Sequence, residues 1–313
     1  MKRKKHTVVW FFIFFVFSLG TMLFAMKYLS VSQTVIAPVT ETLEHIGIHP
    51  YEVIDGSLEI VVEHALKDAK GTYGIVIQNL KTRENFSLNE HTVYQSGSLY
   101  KLWVMATVYD QIKNGVLRET DVMKQEIPIL NEKFKIATED AERKEGDITL
   151  SVADALFQMI TVSDNYAALL LSEKVRLSNV VKFLNSNGFS ESKVGTDGSI
   201  PTTIPSDIAS FFEKLYKGTL IDTEYDEKML DLLKEQKINN KIPKKLPRDI
   251  TIAHKTGEFN LFTHDAGIVY SPKNDYIIVV LSESQNPLEA EQLIANISES
   301  VYHYFTSGMS TTN

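Results

Sequence analysis

Strand-like stretches lie near both ends of this chain and helical periodicity fills the interval, so any common sheet must be assembled from opposite ends of the sequence. Tyr73-Gly-Ile-Val-Ile-Gln78 and Asn85-Phe-Ser-Leu88 read as two strands joined by a polar turn. Asp249 to Thr256, Ala266 to Tyr270 and Tyr276 to Leu281 read as three more. Between them, apolar residues at 99, 102, 103, 106, 109 and 112 trace one helical face that Asn114-Gly115 stops. Val152, Leu156, Met159 and Ile160 form a second stripe behind Ser151-Val-Ala-Asp154, which resembles a capping box. Pro205 to Lys217 is expected to form a third helix, started by Ser206, with Ile208, Phe211, Phe212 and Leu215 as its core face. Leu58, Ile60, Val61, Ala65 and Leu66 open the domain at near-helical spacing, and Asn286-Pro287 opens a closing helix that packs through Leu293, Ile297 and Val301. The fold class expected is α+β: a mostly antiparallel sheet with flanking terminal helices, beside a helical subdomain.

The N-terminus is of another kind. Lys2, Arg3, Lys4 and Lys5 precede an uncharged run from Val8 to Met26, closed by Lys27. Nineteen residues at a rise of ~1.5 Å each nearly match the ~30 Å hydrocarbon core of a bilayer. A cleaved signal peptide would begin in the same way, but Ala25 has Leu23 two positions before it, a poor small-x-small cleavage site. Residues 1–27 are therefore read as a basic cytoplasmic stub and a single-pass transmembrane anchor, with the rest of the chain extracytoplasmic by the positive-inside rule. Residues 28–55 form a linker, 56–306 the folded domain and 307–313 a tail.

Composition removes several functions. A net charge of −8 makes nucleic acid an unsuitable partner, and the absence of cysteine excludes disulfides, a thiol nucleophile and thiolate metal sites.

Three short motifs carry chemistry. Ser98-Leu99-Tyr100-Lys101 sets a hydroxyl and an amine one helical turn apart at a helix start, where the amine can take the serine proton. The plainer reading is a capping serine beside a solvated lysine, and a second Ser-x-x-Lys at Ser190 to Lys193 shows how easily the pattern arises. Ser163-Asp164-Asn165 follows a helix and suits ordinary capping, or alternatively a proton relay (Ser163) with an amide contact for substrate (Asn165). Lys255-Thr256-Gly257 ends an expected strand. It is either a surface turn or a carboxylate-binding site, with Lys255 attracting the anion, Thr256 hydrogen-bonding it and Gly257 letting substrate approach the strand edge. The charged stretch Thr138 to Asp147 is read as a solvated surface loop without function.

Singly these motifs are ambiguous, but their order resembles that of class A β-lactamases and penicillin-recognising serine hydrolases over residues 56–306. The resemblance implies two subdomains with the site at their junction, and an acyl-enzyme on Ser98. Lys101 would act as base and Ser163 would return a proton to the leaving nitrogen. The backbone N–H groups of Ser98 and Glu258 would form the oxyanion hole, and Lys255 and Thr256 would hold the carboxylate of a β-lactam or an acyl-D-Ala-D-Ala peptide. No metal or organic cofactor is implied.

One departure stands out. The class A motif Glu-x-x-Leu-Asn supplies a water-activating glutamate, yet the only glutamates between Asn165 and Thr202 are Glu173 and Glu191, and neither begins it. Leu184-Asn185 has Val181 at the glutamate position. Asp197 could substitute, although in Thr-Asp-Gly-Ser it suits a turn. His264 could assist carboxylate binding or serve as a structural strand-end residue. Three functions remain open: a β-lactamase, a slowly deacylating D,D-peptidase or penicillin-binding protein, and a non-catalytic sensor of β-lactams or muropeptides.

If Val8 to Met26 is an uncleaved anchor, the protein stays with membranes through a salt wash and begins near Met1. Recovery of a soluble form starting between Ala25 and Ser30 would overturn that expectation.

Overall fold

The computed structural model describes residues 56–307, so the anchor and linker expected before residue 56 lie outside the described residues. Among the described residues no helix is long and apolar enough to cross a membrane. The elements run α1 (Leu58–Leu66), β1 (Thr72–Asn79), β2 (Asn85–Leu88), β3 (Tyr94–Gln95), a 3₁₀ turn (Gly97–Leu99), α2 (Tyr100–Lys113), β4 (Val122–Glu126), α3 (Ile127–Lys133) and β5 (Asp147–Ser151). They continue with α4 (Val152–Thr161), α5 (Asn165–Val175), α6 (Leu177–Asn187), β6 (Thr202–Thr203), α7 (Pro205–Tyr216) and α8 (Thr223–Lys234). A second 3₁₀ turn (Ile242–Lys245), β7 (Thr251–Phe259), β8 (Phe262–Tyr270), β9 (Tyr276–Glu283) and α9 (Pro287–Ser307) complete the chain.

Five strands pair antiparallel in the order β2-β1-β9-β8-β7, so the sheet does draw on both ends of the domain. Side chains alternate across it. Ile75 and Ile77 of β1 and Ile278 and Val280 of β9 join Val61, Ile297 and Val301 of the two terminal helices in one core. Val76, Ile277, Val279 and Leu281 point the other way into a second core with the helical subdomain. Burial on both faces explains why β1 and β9 read as unbroken apolar runs.

Inside the helical subdomain, α2 is buried from Lys101 to Tyr109, as befits a central helix enclosed by its neighbours. Trp103 packs against Phe189 and Phe211 at centroid distances of 5.0 and 5.2 Å. Its turn above carries Lys101, which is fully buried.

Two expectations need correction. The strand expected to end at Thr256 continues to Phe259, and its partner starts at Phe262 rather than Ala266, so Lys255-Thr256-Gly257 lies within a strand. Backbone pairing outlasts the apolar pattern here, as far as a tight turn where Asn260 takes a left-handed φ of 51°. The helix expected over Pro205 to Lys217 does begin at Pro205, but its cap is Ile204 and not Ser206, and Pro205 takes the first turn, where a missing N–H costs nothing. Gly257 also makes room for the serine turn: a Cβ there would stand 2.7 Å from Ser96 O and 2.9 Å from Leu99 Cγ. Gly97 meets β7 from the opposite side, with φ +48° and a virtual Cβ 2.7 Å from Glu258 N. Two glycines thus let the serine turn lie against the strand backbone.

Gly257→Ala is therefore expected to cost about 1–3 kcal/mol of stability, the usual range for overpacking, and to lower acylation of Ser98 by more than the loss of folded protein explains. Thermal melts together with active-site titration check this; an unchanged acylation rate would show that the turn tolerates displacement.

Candidate active site

Ser98 sits in the 3₁₀ turn that feeds α2, half exposed, at the wall of a cavity of about 780 Å³. That volume lies within the usual range for small-molecule sites. Gly97, Asn165, Glu142, Glu258 and Phe259 line the same cavity. Lys101, one turn into the helix, does not open onto it.

What places Lys101 is the Ser163 segment. Asp164 caps α5 by accepting the Ala167 N–H at 2.7 Å, which fixes the chain direction just before the helix and leaves Ser163 at φ +60°. Such backbone conformations are sparsely populated for a non-glycine residue and persist only where neighbours hold them. Here the neighbour is Lys101: its Nζ donates to Ser163 O at 2.6 Å and to Asn165 Oδ1 at 2.7 Å, and lies 3.2 Å from Ser163 Oγ. From the other side Lys255 Nζ approaches Ser163 Oγ at 3.0 Å and Thr256 O at 3.1 Å. One hydroxyl thus joins two buried amines.

Burial pushes Lys101 down to about 7, against the opposing pull of Asp164 and Glu142. Lys255 is also well below the usual lysine range, first through burial and then through the charge of Lys101. With Lys101 neutral, its two N–H groups suffice for Ser163 O and Asn165 Oδ1, and its lone pair faces hydroxyl. This is the form that can accept a proton.

Behind this pair stands a second polar layer that the sequence did not reveal. Lys241, fully buried, pairs with Glu258 Oε1 at 2.5 Å and with Asn240 Oδ1 at 3.2 Å. His254 lies 2.9 Å from Asp265 Oδ1 and 3.0 Å from Asn239 Oδ1, while the other Asp265 oxygen accepts the Ile242 N–H at 3.0 Å. Lys241 stands among other lysines in a polar stretch and belongs to no motif, so no local signal separated it from them. Among the described residues no group of three or more His, Asp or Glu side chains is arranged to hold a metal ion.

The remaining candidates are engaged by other partners. His264 is buried and committed on both nitrogens: Nδ1 accepts the Ser282 N–H at 3.1 Å, which leaves Nε2 to donate to Gln95 O at 2.8 Å. Burial lowers it to about 4, so it is a neutral structural tie and not a carboxylate ligand. Asp197 is exposed and accepts the Ser199 N–H at 2.9 Å, which shapes the turn, and the Ser199 side chain first and its backbone second hold the carboxyl below the usual range. Glu173 pairs with Lys133, and Glu191 lies 3.2 Å from His91 at the surface.

The charged loop 138–147, expected to be functionless, reaches the site. Glu142 Oε1 accepts from Asn165 Nδ2 at 2.6 Å. Its neighbour Arg143 is tied down by backbone: the Arg143 N–H donates to Tyr166 Oη at 3.0 Å, and Arg143 O accepts from Tyr166 Oη at 2.7 Å and from Asn131 Nδ2 at 2.9 Å. A run of charges looks the same whether it is solvated or anchored in this way, which is why the sequence concealed it.

Residues 57–305 match the family described as the β-lactamase enzyme family. The β-lactamase VEB-1 of Pseudomonas aeruginosa is 21% identical over 276 residues, which cover 80% of this chain and 90% of that protein. Among solved structures, a β-lactamase from Sphaerobacter thermophilus superposes with a TM-score of 0.69 at 22% identity, covering 80% of this chain and 97% of the other. PBP-A does so with 0.69 at 19% identity, covering 80% and 96%. At these identities the structural likeness speaks for the fold.

If the neutral amine of Lys101 is the base, reaction of Ser98 with an acylating reagent should rise about tenfold per pH unit below ~7 and level off above it. Stopped-flow labelling between pH 5 and 9 measures this. Lys101→Arg, permanently charged, should abolish the limb, and a rate that fell through pH 7 would contradict the assignment.

Proposed function

Because the chain belongs to the β-lactamase enzyme family, we propose that it is a serine hydrolase that opens the amide of a β-lactam ring through an acyl-enzyme on Ser98. Ser98 Oγ adds to the carbonyl carbon as Lys101 takes its proton. The oxyanion is held by the N–H groups of Ser98 and Glu258. Collapse breaks the ring C–N bond, and the nitrogen takes a proton from Ser163, which is resupplied across its contacts to the two lysines. Lys255 and Thr256 receive the substrate carboxylate, and Asn165 its amide. An arriving carboxylate favours the protonated form of Lys255, so substrate itself restores the charge that burial suppresses.

The observation that carries this reading is the Ser163 hydroxyl within 3.2 Å of Lys101 Nζ and 3.0 Å of Lys255 Nζ, beside the cavity that Ser98 lines. A lysine held near neutrality serves acylation of Ser98, which speaks against a site that binds its ligand without covalent reaction.

A second reading, a D,D-peptidase acting on acyl-D-Ala-D-Ala peptides, has its own support. The chain lacks Glu-x-x-Leu-Asn, and its fold is as close to PBP-A as to a β-lactamase. A variant of PBP-A has been described as an acyl-enzyme complex with penicillin G. Both substrates are extracytoplasmic, where an anchor at Val8 to Met26 would hold the domain on the cell membrane.

Incubation with a fluorescent penicillin should label the parent protein and Ser190→Ala, and should leave Ser98→Ala unlabelled. Ser190 is exposed and apart from the motif set, so it controls for adventitious serine reactivity. Labelling that survives Ser98→Ala would mean that the nucleophile lies elsewhere.

A further inference from the structure

Hydrolysis of an acyl-enzyme needs a carboxylate or equivalent base to activate water, and the loop that would carry one after α6 does not supply it. Glu173 is committed to Lys133 at the cavity wall, Glu191 faces His91 on the surface, and the Asp197 carboxylate is turned to the Ser199 N–H. Glu258 is drawn onto Lys241. Of the remaining cavity-lining carboxylates, Glu142 and Asp140, only Glu142 is connected to the catalytic groups. It accepts from Asn165 Nδ2 at 2.6 Å, while the Oδ1 of that same amide accepts from Lys101 Nζ at 2.7 Å. Its charge acts directly on Lys101.

We propose that Glu142 is the general base of deacylation, supplied from the 138–147 loop on the Asn165 side of the cavity. This rests on Ser98 being the acylated residue. In the step, water adds to the ester carbonyl carbon and gives its proton to the Glu142 carboxylate. The tetrahedral adduct then collapses with cleavage of the carbonyl carbon–Ser98 Oγ bond. Neutral Lys101 takes the proton from Glu142 and hands it to Ser98 Oγ, so that the amine ends neutral and the carboxylate ends ionised, as both began. One water is consumed and one carboxylic acid is released.

Two features equip Glu142 for the task. Its other oxygen is free of any partner imposed by Asn165, so it can face a water beside the ester while the amide fixes its orientation. The position of the loop is also built in: the Arg143 backbone is pinned to Tyr166 and Asn131, Tyr166 directly follows Asn165, and Ala141 is buried. The carboxylate and the amide that holds it are thus located by one network.

The test uses the full chain and a penicillin, followed by intact-mass spectrometry and stopped-flow kinetics. Glu142→Gln keeps the length of the side chain and removes its basicity. It should acylate within a few-fold of the parent and lose the adduct about 10²- to 10⁴-fold more slowly, as expected for removal of a general base. Acylation serves as the internal control, because a merely structural change would slow both steps. Glu142→Asp should restore part of the rate, and Glu139→Gln on the same exposed loop should leave both steps unchanged. Deacylation of Glu142→Gln at the parental rate, or an equal fall in acylation and deacylation, would overturn the proposal. A parent protein that forms no adduct on Ser98 would instead refute the acyl-enzyme reading on which it rests.

Discussion

Lys101 and Lys255 are both withdrawn from solvent, and each brings its Nζ to the same Ser163 hydroxyl. Desolvation and mutual repulsion both oppose that arrangement when the amines are charged. The surrounding structure is accordingly organised to hold them there. Ser163 is kept at a left-handed φ because Asp164 must cap α5 and because its carbonyl and hydroxyl both serve Lys101. Lys101 is carried by the most enclosed helix of the domain, and Lys255 by an edge strand of the five-stranded sheet. The strain and the lowered proton affinity have one origin. Both follow from bringing a helix start, a helix cap and a strand to one point.

That meeting depends on close backbone approach. The serine turn lies on β7 at Gly97 and Gly257, where any side chain would collide with Glu258 or Ser96. The same contact brings Ser98 and Glu258, whose N–H groups are the proposed oxyanion donors, into the lining of one cavity. Because β7 pairs with β8, and β8 with β9 against β1, the position of the serine turn is referred to a sheet built from both ends of the domain. Its alternating faces keep the terminal helices in one core and the helical subdomain in the other.

Carboxylates around the cavity are each oriented by a specific donor. Glu258 is held by Lys241, Glu173 by Lys133 and Glu142 by Asn165. Glu258 and Glu173 are committed to cations, whereas Glu142 is oriented by a neutral amide. This distinction separates Glu142 from the others.

The sequence by itself determined the α+β class, the antiparallel pairing of strands from both ends and the order of the three motifs. Apolar periodicity and the local chemistry of Ser98, Lys101, Ser163 and Lys255 are written in neighbouring residues and need no distant partner to be legible. Strand ends were less visible, because β7 continues through Lys-Thr-Gly on backbone pairing alone. Only the tertiary structure decided that Gly257 accommodates the serine turn, that His264 is a neutral tie, that Lys241 is buried against Glu258, and that Glu142 enters the cavity. Each of these depends on a contact between segments far apart in the chain, and an exposed charge, a buried charge and an anchored loop have the same composition until that contact is made.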